Sequence, residues 1–312
     1  MSTAAEDEMA ATRASAAALL NRLQHGLSKP PVELVHVPHN RWPLPKSPPT
    51  RRSLKLLVLD ASFNPPTLAH LALANSLSPF SNNIGAGDDS TPDYDAKLLL
   101  LSVRNADKAL KPGDATYLQR LDMVEIFTRD IMHQHANSDA EETSNVAIAI
   151  IDEPTFVGKS TILQTFFKAR SAATSEYPSY DTQLNFILGY DTLERLIQPR
   201  YYGSPERMLA SLRKFLSPAP EGDNARIICA RRASSSFPHS VLGSTDLAVA
   251  QEFISSERIA FIDIGEDVKG YSSSEVRNTI HRMGLDAKEW RMVVPSGIAE
   301  YIVRERLYVD MA

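Results

Sequence analysis

The chain has 312 residues, 43% of them hydrophobic, with 33 Lys and Arg against 38 Asp and Glu and a formal net charge of −5. That length and apolar content support a sizeable core in one large domain, and the mild acidity excludes a general nucleic-acid-binding surface, the pairs Arg51-Arg52 and Arg231-Arg232 being too small to form basic patches. The single cysteine, Cys229 in the apolar run 227–230, excludes an internal disulfide and reads as a buried thiol; Cys and His show no zinc spacing, and no apolar stretch approaches the ~20 residues that span a bilayer.

Residues 1–50 read as an N-terminal extension, helical over 10–27 through Ala10, Ala17, Leu20 and Leu23 and Pro-rich over 30–49. It carries no catalytic pattern and is expected to pack on the core or to mediate association. Glu6, Asp7 and Glu8 stand where a secretory signal or a mitochondrial presequence would carry positive charge, so the cytosol or nucleus is expected. Residues 51–312 form the main domain. Its first apolar run, Leu54 to Leu59, predicts a buried strand; the pattern breaks at Asn64-Pro65-Pro66 and resumes with helical spacing at Leu68, Leu71, Leu73 and Leu77. Thr67 and His70 are three apart and share one face of the first helical turn, where open N–H groups and the helix dipole favour an anion. That arrangement suits a polyphosphate.

A strand at 97–103 leads to Lys108 and Lys111 ahead of Gly113-Asp114, then to a helix carrying Arg120 and Met123. After a strand at 146–151, Gly158-Lys159-Ser160-Thr161 imitates the end of a P-loop, but the first required glycine falls on Glu153 and Pro154 breaks the loop, so a helix over 161–168 is predicted. The strand at 184–189 ends in Gly189-Tyr190-Asp191, with Asp191 read as the N-cap of a helix over 192–197. Strands at 226–230 and 259–264 follow. Tyr271-Ser272-Ser273-Ser274-Glu275-Val276-Arg277 then marks a serine-capped helix start whose amides, hydroxyls and Arg277 fork suit a phosphate, and Gly284 stops that helix. Val293-Val294-Pro295 through Tyr301-Ile302 to Leu307-Tyr308 reads as a closing, packing helix. Polar insertions at 78–95, 136–145, 171–183 and 217–224 are expected to be surface loops, partly disordered. Alternating strands and helices call for a doubly wound parallel α/β sheet, with both phosphate-type motifs just past the carboxyl ends of strands, where such sheets bind ligands.

Ser62, Phe63, Asn64, Pro65, Thr67 and His70 resemble the signature Gly-Ser-Phe-Asn-Pro followed by (His or Thr)-x-Gly-His of the nucleotidylyltransferases, in particular the nicotinamide and nicotinate mononucleotide adenylyltransferases. Tyr271 to Arg277 is similar to that family's Ile-Ser-Ser-Thr-x-x-Arg, and weaker matches lie at Phe186 to Asp191, at Lys108 to Met123 and at the chain's end. Ala61 and Ala69 stand where the family has glycine, each adding one methyl group. The resemblance runs over about residues 54–308 and most nearly suggests a divergent eukaryotic, fungal branch. It implies a Rossmann-like fold of the nucleotidylyltransferase type. The implied reaction transfers the adenylyl group of ATP to nicotinamide or nicotinate mononucleotide by in-line attack, releasing pyrophosphate.

By the same resemblance His70, Thr67 and Arg277 would be catalytic. Ala61, Ser62, Phe63, Asn64, Lys108, Gly189, Asp191, Ser272, Ser273 and Ser274 would join His70 and Arg277 in binding ATP. The acceptor would meet Phe156, Lys159 and Tyr201, although the family's tryptophans around the pyridine ring are missing, the chain having only Trp42 and Trp290. No protein metal site is implied; Mg²⁺ would arrive on ATP. Two other readings share these motifs: a related transferase acting on phosphopantetheine or phosphocholine, and a catalytically weakened nucleotide-binding or interaction protein with residual ATPase activity.

Overall fold

A strand buried on both faces needs no polar alternation, and the apolar runs of the sequence fold as such strands. The computed structural model describes residues 3–45, 53–80, 94–104, 111–133, 145–172, 180–231 and 244–309. In chain order the elements are α1 (Thr3–Gln24), β1 (Val32–His36), β2 (Ser53–Asp60), α2 (Leu68–Ala74), β3 (Ala96–Ser102), α3 (Tyr117–His133), β4 (Val146–Ile151) and α4 (Phe156–Ala172). There follow β5 (Asp181–Gly189), α5 (Tyr190–Leu196), a 3-10 turn (Pro199–Tyr201), α6 (Pro205–Leu216), β6 (Arg226–Ala230), α7 (Ser244–Ser255), β7 (Ile259–Ile262), α8 (Ser273–Met283) and α9 (Ser296–Arg304).

The strands form one seven-stranded sheet in the order β1-β4-β3-β2-β5-β6-β7. All neighbours are parallel except β1, which pairs antiparallel with β4. From β2 the chain winds outward through β3 and β4, returns to the other side of β2 at β5, and winds outward again. The doubly wound α/β architecture is therefore present, with its topological switch between β2 and β5, where the carboxyl ends of two central strands open a crevice.

Alternate strand residues feed two cores. One face buries Leu57, Leu59, Leu99, Ile148 and Ile187 with Leu20, Leu71, Phe127, Val276 and Ile298 from α1, α2, α3, α8 and α9. The other buries Leu56, Val58, Leu98, Ala149 and Phe186 with Leu163, Met208, Leu212, Phe215 and Phe253 from α4, α6 and α7. An aromatic string, Phe156 edge-on to Phe186 at 5.7 Å and Phe186 to Phe215 at 5.5 Å, runs through this second core. No helix among the described residues is long and apolar enough to cross a membrane.

The sequence expectations are corrected in five places. The Pro-rich segment 30–49 contains β1, so the N-terminal extension supplies an edge strand, and Trp42, fully buried, packs on Phe167 at 5.7 Å. The helix expected at 161–168 spans Phe156–Ala172, because the Thr155 hydroxyl accepts the Gly158 N–H at 3.1 Å and the Thr155 carbonyl accepts the Lys159 N–H at 2.9 Å, starting the helix early. Asp191 is not the cap of α5: β5 runs straight to Gly189, which takes the N-cap position in extended backbone, and Asp191 falls in the first turn. Helix α2 stops at Ala74, leaving Leu77 76% exposed. The insertion at 217–224 is a knit turn: Asn224 N–H meets the Ser217 carbonyl at 2.9 Å, and Thr161 Oγ1 donates to Asp223 at 2.9 Å. A Cβ on Gly222 would lie 2.6 Å from the carbonyls of Lys214 and Ser217, which explains that glycine. Of the other insertions, residues 81–93, 134–144 and 173–179 lie outside the described residues.

Phe186 is fully buried at the centre of the aromatic string. Phe186→Ala is expected to lower unfolding stability by about 3–5 kcal/mol, read from denaturant midpoints at unchanged slope.

Candidate active site

The site begins where β2 ends. Ala61 follows the strand, partly buried on the core, with its N–H on the Leu100 carbonyl at 3.3 Å. Ser62 turns its carbonyl to Arg120 Nη1 at 3.4 Å. Phe63 has φ +45°, a left-handed backbone that a bulky residue adopts only when its surroundings hold it. What holds it is burial: the ring is fully inside, 5.9 Å from the His70 ring and 6.3 Å from Phe127. Its side chain supports His70 from beneath instead of reaching a ligand.

Thr67 and His70 form one unit. Thr67 N–H donates to His70 Nδ1 at 3.1 Å, and Thr67 Oγ1 lies 2.8 Å from the same nitrogen. A backbone N–H can only donate, so Nδ1 is an acceptor and the proton of the neutral imidazole sits on Nε2. Burial lowers the His70 pKa to about 4, which keeps the ring neutral at physiological pH. His70 therefore offers Nε2–H as an uncharged donor. Thr67 is fully buried and acts through the histidine, orienting it. The open helix start expected at this point is only partly open, since the Leu68 N–H is already held by the Val293 carbonyl at 2.9 Å and the Thr67 N–H by His70.

The second motif arrives from the far end of the chain. Ser272 caps α8 by accepting the Glu275 N–H at 3.2 Å. Ser273 Oγ donates to the Pro65 carbonyl at 2.8 Å, and Arg277 Nη1 donates to the Asn64 carbonyl at 2.6 Å. Ser274 is exposed at the helix start, 3.4 Å from Arg277 Nη2. The two motifs that the sequence places more than 200 residues apart are thus in direct contact.

Between them lies a group that sequence reading did not single out. The Asp114 carboxylate faces Arg277 Nε at 3.4 Å and Arg120 Nη2 at 3.7 Å. It also accepts Asn64 Nδ2–H at 2.8 Å. Asn64 is buried, and its Oδ1 takes the Ala115 N–H at 3.2 Å and the Tyr308 hydroxyl at 3.0 Å. Its amide is committed to the protein and braces the loop. Burial pulls the Arg120 guanidinium below its usual range and Asp114 pushes back, while burial raises the Tyr308 phenol. Tyr308, read from sequence as packing, closes this network from the chain's end.

Gly189 ends β5 and Asp191 lies just past it, across the switch point from β2. A Cβ built on Gly189 meets nothing within 4 Å, so space above this strand end is open. On the other side, Lys159 in the first turn of α4 pairs with Asp60, the last residue of β2, with 5% and 7% of these side chains exposed. Its ammonium also sits 5.0 Å from the centre of the Phe156 ring. Both acceptor candidates on α4 are engaged by the core, and Tyr201 is covered by Arg200, whose guanidinium lies 4.8 Å over its ring. Lys108 lies outside the described residues. Among the described residues, no group of three or more His, Cys, Asp or Glu could hold a metal ion.

The geometry generates two predictions. A nuclear magnetic resonance titration should find His70 protonating near pH 4; a midpoint at or above the ordinary 6.5 would remove the neutral donor. Because the folded-state value is lowered, the stability this histidine contributes is complete above pH 6.5 and is lost as pH falls toward 4. Lys159→Met should destabilise by about 3–5 kcal/mol by stranding Asp60, whereas the double change Asp60→Leu with Lys159→Met should recover most of that loss, as urea unfolding would show.

No protein-family model matches the chain. Two solved structures of Plasmodium falciparum nicotinic acid mononucleotide adenylyltransferase, one complexed with APC and one with NaAD, align at TM-scores of 0.47 and 0.48 with 15% and 16% identity, covering 82% of this chain and 97% of theirs. A Schizosaccharomyces pombe protein named "Putative nicotinamide mononucleotide adenylyltransferase" is 28% identical over 261 residues, which is 79% of this chain and 83% of that protein. In its two motifs the chain resembles the nicotinamide and nicotinate mononucleotide adenylyltransferases, and over most of its length it is similar to this relative.

Proposed function

We propose that the protein transfers the adenylyl group of ATP to the 5′-phosphate of nicotinamide or nicotinate mononucleotide, giving the dinucleotide and pyrophosphate. The observation that carries this reading is the closure of the two motifs into one site, with Ser273 on the Pro65 carbonyl and Arg277 on the Asn64 carbonyl, at the sheet's switch point. The relative's name agrees with it.

The reaction makes modest chemical demands. A phosphate oxygen of the mononucleotide attacks the α-phosphorus of ATP in line, a new P–O bond forms, and the bond to the β-phosphate bridging oxygen breaks. The nucleophile is already anionic and pyrophosphate leaves readily once its charge is offset, so the protein's work is alignment and charge stabilisation. In this reading His70 Nε2–H donates to an α- or β-phosphate oxygen. Arg277, with Ser274 and the amides at the start of α8, holds the β and γ groups. The adenosine lies over the open end of β5 at Gly189, near Asp191. ATP would enter as its Mg²⁺ complex, the cation supplying charge neutralisation to the phosphates; the carboxylates Asp60 and Asp114 already face protein cations.

Purified protein incubated with Mg²⁺, ATP and, separately, nicotinamide mononucleotide, nicotinate mononucleotide, phosphopantetheine and phosphocholine should release pyrophosphate and form product only with the pyridine mononucleotides. His70→Ala should lower turnover by ~10²-fold or more with the fold intact. Product from another acceptor, ATP hydrolysis alone, or a fully active His70→Ala would reject the assignment.

A further inference from the structure

Two arginines buried side by side repel each other, and the arrangement around residues 114, 120 and 277 shows how the fold resolves that. Each oxygen of the Asp114 carboxylate faces one arginine and one neutral donor. Oδ1 has Arg277 Nε at 3.4 Å and Asn64 Nδ2 at 2.8 Å; Oδ2 has Arg120 Nη2 at 3.7 Å and the Lys111 N–H at 3.1 Å. All three charged side chains are largely shielded, with 13% of Asp114, 8% of Arg120 and 18% of Arg277 exposed. One carboxylate between two guanidiniums leaves a single net positive charge.

The division of labour between the arginines is unequal. Arg120 turns inward, its Nε on the Ala115 carbonyl at 2.9 Å and its Nη1 on that of Ser62 at 3.4 Å. Arg277 holds Nε 3.4 Å from Asp114 as an ion pair and donates one Nη1–H to Asn64 and one Nη2–H to Ser274. A guanidinium has five N–H donors, so one N–H on each terminal nitrogen is left for a ligand.

We propose that Asp114 is a positioning residue for the nucleotide's phosphates, acting through Arg277: it fixes the arginine in its binding posture before ligand arrives and offsets the repulsion from Arg120. The inference rests on the proposed adenylyltransferase reading and adds to it a residue that no motif nominates. Holding a charged donor in advance removes the reorganisation that binding would otherwise require. Asp114 is therefore favourable to an anionic ligand in spite of its own negative charge.

A double-mutant cycle separates this from a merely structural role. MgATP binding is measured by calorimetry for wild type, Asp114→Asn, Arg277→Gln and the double variant, with melting temperature recorded for each. Asp114→Asn is expected to weaken ATP binding by about 10-fold or more, the scale of one hydrogen bond to a charged group. In the Arg277→Gln background the same change should have less than about 2-fold effect. Independent, additive losses would overturn the proposal, as would unchanged or tighter binding in Asp114→Asn. If that variant does not fold, the cycle is run with Asp114→Glu and read by the same criterion: a loss present only when Arg277 is present supports the proposal, and a loss that survives Arg277→Gln, or no loss, overturns it. Folded wild-type protein that binds no ATP would instead bring down the parent reading, and this inference with it.

Discussion

The reach of Arg277 to the Asn64 carbonyl, 213 residues away along the chain, is the contact on which the rest of the site depends. The sheet makes that contact awkward. Helix α8 follows β7, an edge strand, whereas Asn64 follows β2 at the centre, so the chain must come back across the carboxyl ends of β6 and β5. Its return is secured by burial of Val276 and Ile280 on the face that also receives α2, α3 and α9, and by Ser273 on the Pro65 carbonyl. Once α8 is seated there, Ser273 and Arg277 face the β2–α2 loop while Ser274 and Glu275 stay exposed. Apolar packing delivers the helix, and a few hydrogen bonds set its register.

Much of the loop's strain and burial follows from that docking. Phe63 is held in left-handed backbone, Asn64 has its amide oxygen shared by Ala115 and Tyr308, and Thr67 has its N–H on His70. Each uses a group that could have met a ligand, and each makes one neighbouring group immobile instead. The result is a small number of outward donors on a rigid mount: the Nε2–H of a neutral imidazole, two N–H groups of Arg277, and the exposed hydroxyl of Ser274. For a reaction whose nucleophile and leaving group are both phosphate oxygens, fixed donors matter more than a strong base.

The parallel strands were legible because helices cover both faces of the sheet, which turns each strand into an unbroken apolar run that no surface element imitates. Strand β1 escaped notice for the opposite reason: it is an antiparallel edge with only Val32 fully buried, set among prolines. Helix starts were misplaced where a cap lay outside the expected residue, as with Thr155 ahead of α4 and Gly189 ahead of α5. At the site, the motif residues were legible as positions and not as roles. A string such as Ser-Phe-Asn-Pro reads as a set of ligand contacts, yet which side chains turn inward depends on Phe127, Ala115 and Tyr308, partners remote in sequence. Asp114 left no signal beyond a polar turn after Gly113, because everything that distinguishes it comes from Asn64 and Arg277 across the fold.

The acceptor side shows the same limit with more consequence. Lys159 in Gly-Lys-Ser-Thr looks like a phosphate ligand whichever family is consulted, and it stands in the segment where a mononucleotide would be gripped. In the fold its ammonium is paired with Asp60 at the end of β2 and nearly sealed from water. To bind an acceptor phosphate it would have to leave Asp60 as an uncompensated buried charge, a penalty of about 3–5 kcal/mol that a single phosphate contact does not offset. The pair instead ties the start of α4 to the end of β2, one residue before the loop that carries Phe63 and His70. On the proposed reading, the acceptor would then be met by side chains other than Lys159, whose part is to join α4 to β2.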